Sequence, residues 1–185
     1  GYEDAQDLAV VRYLTDGTLD PGFGTGGKMT LSVSFGNDIA TCLALQDDGK
    51  ILVGGYSYLV DISFVLIRLL PDGTLDTGFG VNGVVTTAID GNTSIGKGLA
   101  VQADGKILLA GGGFGGFALV RYTSDGTLDT TFGTSGLSLC PFVGSSAQAN
   151  AIALQSDGLI VLAGFASGKF SDSIAVARFD TAGVL

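Results

Sequence analysis

The side chains with the most chemistry in this chain are aspartates and arginines, and they recur together. Asp-Gly-Thr-Leu-Asp stands at Asp16 to Asp20, Asp72 to Asp76 and Asp125 to Asp129. Two carboxylates about 5–10 Å apart, one with a raised pKa, are what glycoside hydrolysis requires. The same oxygens are also ligands of the kind Ca²⁺ takes. The four arginines are Arg12, Arg68, Arg121 and Arg178, each five residues before a turn glycine (Gly17, Gly73, Gly126 and Gly183). Every arginine therefore occupies one equivalent position. One cation per repeat is in place to neutralise the aspartates, and an Arg–Asp pair at each base would orient its loop without necessarily adding net stability. Catalytic sites break symmetry, whereas scaffolding obeys it. We therefore expect Asp16, Asp20, Asp72, Asp76, Asp125 and Asp129 to serve as turn and ion-pair residues. No catalytic residue, metal or cofactor is expected, with Ca²⁺ ligation by these aspartates as the alternative.

What the chain lacks narrows the chemistry further. There is no His among its 185 residues, which removes the imidazole base and the His metal ligand. A Ser or Cys nucleophile thus lacks its base, and no Gly-x-Ser-x-Gly elbow occurs. The two Cys cannot form a Cys₄ zinc site. The glycine-rich stretch 111–116 has no Lys-Ser/Thr after it and is no phosphate loop. Against 18 acidic residues stand nine Lys and Arg, for a net charge of −9 that repels phosphate backbones. No apolar run reaches the roughly 18 residues a membrane span needs. An enzyme is not expected, nor a nucleic-acid partner.

The elements that must position these residues repeat as well. Gln-x-Asp-Gly begins at Gln46, Gln102 and Gln155, and Phe-Gly-x-x-Gly at Phe23, Phe79 and Phe132. The 31 glycines, without a Gly-X-Y period, point to many such tight turns. Between the markers lie short apolar runs bounded by turn signals, which read as strands, and no stretch keeps a capped helical period. In the repeat containing Gln102, one strand ends at Ala100-Val101-Gln102 and Asp104-Gly105 makes a tight hairpin turn. Lys106 to Ala110 is the next strand, closed by Gly111 to Gly113, and Phe117 to Tyr122 is a third. The more polar fourth strand is Leu137 to Val143, equivalent to Val84 to Ile89. Loop lengths place the Ala-Leu-Gln strand innermost and the fourth strand outermost. Four antiparallel strands per 53–56 residues make a blade of an all-β β-propeller. The units are about 1–37 (partial), 38–93, 94–146 and 147–185 (partial), with thirteen strands in all.

The phase of the repeat leaves both end units incomplete. Thirteen strands are three fours plus one, so head-to-tail closure of copies would leave a surplus strand. The expectation is an incomplete propeller, finished either by the rest of a longer parent chain or by other copies pairing on open edges.

Phe23, Phe79 and Phe132 are expected to fill apolar gaps between blades, with sugar stacking as the alternative. Cys42 falls on an inner strand where its counterparts are Gly98 and Ala151. Cys140 is expected on an outermost strand two repeats away, which argues against a disulfide. Asn92-Thr93-Ser94 matches a glycosylation acceptor, but one such triplet is expected by chance. The turns share one face of the disc, and the unrepeated loops share the other. Asn37, Asp38, Tyr56, Tyr58, Asp61, Asp90, Asn92, Phe114, Phe165 and Lys169 are the candidate ligand-face residues, suited to a protein or glycan partner.

The string from Phe117 through Asp125-Gly-Thr-Leu-Asp to Phe132-Gly133, with the Ala-Leu-Gln and Asp-Gly-Lys-Ile-Leu-Leu-Ala-Gly segments, resembles the delta-60 repeat of bacterial surface and secreted proteins. The resemblance spans essentially the whole chain. It implies a propeller-like repeat in an extracellular or cell-surface protein and no defined activity. The reading is a non-enzymatic structural or interaction scaffold. The alternatives are a lectin-like ligand-binding propeller and a self-assembling filament module, with or without Ca²⁺.

Overall fold

The computed structural model describes residues 5–58, 61–89, 94–113, 115–142 and 146–185, and every regular element among them is a β-strand. There are thirteen: β1 (Leu8–Val11), β2 (Lys28–Leu31), β3 (Asn37–Leu45), β4 (Ile51–Tyr58), β5 (Ile62–Leu69), β6 (Val84–Thr87), β7 (Ser94–Val101), β8 (Ile107–Gly113), β9 (Gly116–Tyr122), β10 (Leu137–Pro141), β11 (Ser146–Leu154), β12 (Ile160–Ser167) and β13 (Asp172–Phe179). All strand pairs are antiparallel, and within each blade consecutive strands are neighbours. β1–β2 form blade 1, β3–β6 blade 2, β7–β10 blade 3 and β11–β13 blade 4. The molecule is an incomplete β-propeller with β3, β7 and β11 as inner strands.

The central strands read as near-continuous apolar runs because both their faces are covered. Ile-Leu-Leu of β8 and Phe-Ala-Leu-Val of β9 are wholly buried. Three apolar clusters fill the three blade junctions. At the junction of blades 3 and 4, Leu108, Ala110, Phe117 and Leu119 meet Ile160, Leu162, Ala175, Ala177 and Phe179. At that of blades 2 and 3, Leu52, Phe64 and Leu66 meet Ile107, Leu109, Val120 and Tyr122. Leu8 and Phe23 of blade 1 pack on Ile51, Val53, Val65 and Ile67 of blade 2. Blades 2 and 3 thus each have a front face, packed on the next blade, and a back face, packed on the preceding one.

Strand ends depart from the expected ones. Gly111 to Gly113 do not close β8 but belong to it. Each inner strand carries a bulge at the same place, between Ala40 and Cys42, Gly96 and Gly98, and Ala149 and Ala151. The bulge brings the inner backbone so close that a Cβ on Gly111 would sit 2.8 Å from the Ile95 carbonyl carbon. Glycine is there for close approach rather than for a turn. At their far end Gly112 and Gly113 also pair with Gln148 and Ala147, which joins blades 3 and 4 into one sheet. The outer strands are shorter than expected: β6 ends at Thr87 rather than Ile89, and β10 at Pro141. Val143 lies outside the described residues.

Candidate functional site

At the base of each blade junction the repeated residues converge into one latch. The chain leaves the third strand at Arg12, Arg68 or Arg121, turns at Asp-Gly-Thr-Leu-Asp, and reaches Phe23, Phe79 or Phe132. Arg12 Nε donates to Asp20 Oδ2 at 2.7 Å, Arg68 Nε to Asp76 Oδ2 at 2.9 Å, and Arg121 Nε to Asp129 Oδ2 at 2.8 Å. Each guanidinium lies over its own phenylalanine ring, at 4.7, 4.4 and 4.3 Å from the centroid. Its outer nitrogen crosses to the next blade and donates to a backbone carbonyl: Pro71, Ser124 (2.5 Å) or Thr181 (2.7 Å). The backbone N–H of the following glycine does the same, from Gly24 to Asp72 O, Gly80 to Asp125 O and Gly133 to Ala182 O. The fully buried rings of Phe23, Phe79 and Phe132 rest on the next blade's turn glycine, Gly73, Gly126 or Gly183. Those glycines have φ of 84–88°, and a Cβ on any of them would fall within 2.9 Å of the ring.

The two aspartates of each motif have separate partners. The ion pair goes to the second one, Asp20, Asp76 or Asp129. The first, Asp16, Asp72 or Asp125, is turned away from the arginine and closes its own turn, accepting from the N–H of Thr18, Thr74 or Thr127. The second oxygen of Asp129 accepts from Thr131 N–H and hydroxyl. The Thr131 hydroxyl, reinforced by its N–H, Lys106 and Arg121, holds the Asp129 carboxyl far below the ordinary range despite burial. Burial pushes Asp76 upward, but the Gly78 N–H and Arg68 outweigh it, so its pKa is also lowered. The Thr123 hydroxyl, with the Thr127 N–H, brings Asp125 down to about 2.

Arg178 keeps the equivalent register place, opposite Val161 as Arg121 is opposite Leu108. It is exposed, and among the described residues its guanidinium has neither an ion pair nor a hydrogen bond. In that repeat the motif reads Ala182-Gly183-Val184-Leu185, and Asp180 caps the turn through the N–H groups of Ala182 and Val184. Sequence reasoning missed two members of the latch, Lys50 and Lys106, whose Nζ atoms lie 3.6 Å from Asp76 and 3.3 Å from Asp129. The signal was present: Lys50 and Lys106 recur at one position after Gln-x-Asp-Gly, with Leu159 at the third. Among the described residues no three Cys, Asp or Glu side chains gather as metal ligands do.

The opposite face holds the unrepeated loops. Asn37 Oδ1 accepts from Gln6 N–H at 3.0 Å. Asp38 is not a surface acceptor there. It is 1% exposed, and its carboxylate takes the N–H groups of Val33 (2.6 Å) and Ser34 (2.9 Å), fixing the crossing between blades 1 and 2. Tyr56 and Phe165 lie along their strands and are half-buried, whereas Tyr58, Asp61 and Lys169 are exposed. Asp90, Asn92 and Phe114 lie outside the described residues. Among the described residues, the aromatic rings most open to solvent on this face are ones not singled out, Phe35 (94%) and Phe170 (92%). The only hint in the sequence was their place in irregular loops. Cys42 and Cys140 are both free, and Cys140 sits in the next blade rather than two away.

With this geometry in hand, a family model described as a β-propeller domain of unknown function, DUF5122, matches residues 1–23, 46–79 and 102–132. Those segments cover all three Asp-Gly-Thr-Leu-Asp motifs and all three latch phenylalanines. The repeats are β-propeller repeats. No curated protein matches the propeller chain. No helix in the described propeller is long and apolar enough to cross a membrane.

Proposed function

We propose that this propeller is a non-enzymatic structural and interaction scaffold of a secreted or cell-surface bacterial protein, built from repeats of the delta-60 type. The observation that carries the reading is the use made of its polar groups. The ion-paired aspartates and their arginines are each consumed in holding one blade to the next, at three junctions with one geometry. A side chain whose hydrogen bonds are filled by its own scaffold is poorly placed to bind or activate a substrate. The partners that fit are the rest of a longer parent chain or further copies of this one.

A lectin-like role is the second reading. It is favoured by the exposed rings of Phe35, Tyr58 and Phe170 on the loop face, where flat apolar rings rimmed by Asn and Asp suit a sugar. A glycan array decides between them. The scaffold reading expects no saturable binding. Saturable binding abolished by Tyr58→Ala or Phe170→Ala, with the melting curve unchanged, overturns it in favour of the lectin.

A further inference from the structure

The latch accounts for the arginines, lysines and aspartates of the repeat but not for the glutamine of Gln-x-Asp-Gly. At Gln46 and Gln102 the backbone is fully engaged in the hairpin turn. Gln46 N–H donates to Lys50 O and Gln46 O accepts from Gly49 N–H, and Gln102 does the same with Lys106 and Gly105. Asp48 and Asp104 close these hairpins by accepting from the N–H groups of Lys50 and Lys106. The glutamine side chains add nothing to the turn. Oε1 of each is buried and accepts no hydrogen bond among the described residues.

A buried acceptor without a donor costs more than an ordinary hydrogen bond returns, so such an atom points to a water or an ion. Its recurrence at equivalent positions of two blades argues against a local accident. Both glutamines line one cleft of about 540 Å³, between the β3–β4 turn of blade 2 and the β7–β8 turn of blade 3. Each of those blades has all four strands. Asp47 lines the cleft too, and among the described residues its carboxylate has neither an ion pair nor a hydrogen bond. Asp48 beside it is already paired with Lys50 at 3.0 Å. The counterparts of Asp47 in the other turns are Ala103 and Ser156, so this carboxylate belongs to one cleft and not to the repeat.

We propose that this cleft is a weak Ca²⁺ site, with Gln46 Oε1, Gln102 Oε1 and the Asp47 carboxylate as protein ligands and water completing the shell. The aspartates of Asp-Gly-Thr-Leu-Asp are not among its ligands. Hard oxygen donors without a thiolate or imidazole select Ca²⁺ over transition metals. A roomy cleft lined by flexible side chains suits its variable coordination better than the strict octahedron of Mg²⁺. A single free carboxylate puts the affinity at the weak end, with Kd about 1 mM, as in extracellular modules. The net charge of −9 raises the local cation concentration. Once bound, the ion ties the inner hairpin of blade 2 to that of blade 3, a tie separate from the latch.

Melting of the 185-residue chain after chelation, read against added CaCl₂, tests this. The midpoint should rise by about 3–6 °C at about 10 mM Ca²⁺. Asp47→Ala, which copies the Ala103 turn, and Gln102→Leu should each weaken binding about tenfold and cut the rise to about 1 °C. Without Ca²⁺ neither variant should melt below the parent chain, because Asp47 is exposed and Gln102→Leu removes an unpaired acceptor. MgCl₂ at the same concentration measures screening of the net charge and should give a smaller rise. A midpoint indifferent to Ca²⁺ overturns the proposal and leaves water as the donor to both glutamines. A rise matched by MgCl₂, or kept in either variant, overturns it too, as an adventitious ion only. The scaffold reading stands apart from all of these outcomes and fails on the glycan array.

Discussion

At the scale of the residue, burial decides what each arginine contributes. Arg121 and Asp129 are both 7% exposed, and removing the guanidinium leaves the buried carboxylate to Lys106 and Thr131 alone. Breaking a buried pair from one side costs about 3–5 kcal/mol, even where the intact pair adds little. The Arg12 side chain is 35% exposed, and solvent screens most of its pairing, leaving about 1 kcal/mol. Urea denaturation should therefore rank Arg121→Ala well below Arg12→Ala in stability, with Arg178→Ala close to the parent chain. Equal losses at Arg12 and Arg121 would mean that the aspartate, not the pair, holds the turn. The carboxylates also set an acid limit. Asp76, Asp125 and Asp129 have folded-state pKa values below the ordinary one, so the folded state binds protons less readily than the unfolded chain. Their contribution is complete above the usual carboxylate pKa near 4. It is lost as the pH falls through the folded values, which for Asp125 means down to about 2. The urea midpoint should stay level from neutral pH to about 5 and fall steeply below about 4. A midpoint that rises on acidification would show that self-repulsion of the −9 charge outweighs the latches.

At the scale of the element, the turn glycines offer a matched comparison. Gly126 and Gly17 have φ of 88° and 83°, so an alanine at either meets the same backbone strain, about 1 kcal/mol or more. At Gly126 the new methyl also lies 2.9 Å from the Phe79 ring, while at Gly17 nothing stands within 4 Å. Gly126→Ala should cost about 1–3 kcal/mol more than Gly17→Ala, the range for overfilling a packed site. Equal costs, read from urea midpoints, would show that the ring moves aside freely. Strand order was legible in the sequence because hairpin length restricts which strands are neighbours, and the Asp-Gly turns are short. Strand ends were less so. Gly111 reads as a breaker from its type alone, and only the bulge on β7 opposite it explains a glycine inside β8. The latch was half legible for a related reason. Arginine, aspartate and phenylalanine recur visibly, but the acceptors across the junction are the backbone carbonyls of Pro71, Ser124 and Thr181, three different residue types with no signature. Asp38 was misread because its partners are also backbone groups.

At the scale of the whole molecule, each blade touches only its neighbours, so stability is a sum of blade and junction terms rather than the property of one core. Blades 2 and 3 each contribute to two junctions and blades 1 and 4 to one. The central strands β4, β5, β8 and β9 are buried on both faces, while β2 has no fully buried residue and β13 is exposed along its front face. Local opening follows the number of junctions that must break. Opening blade 1 exposes only the cluster around Leu8 and Phe23, whereas exposing β9 requires disrupting the junctions on both sides of blade 3. Amide hydrogen exchange should therefore be graded. β1 and β2 should lose protection first, β13 next, and β5 and β9 last, at the rate of global unfolding. Uniform protection across all thirteen strands would contradict the neighbour-only picture, because it requires the chain to open as one unit.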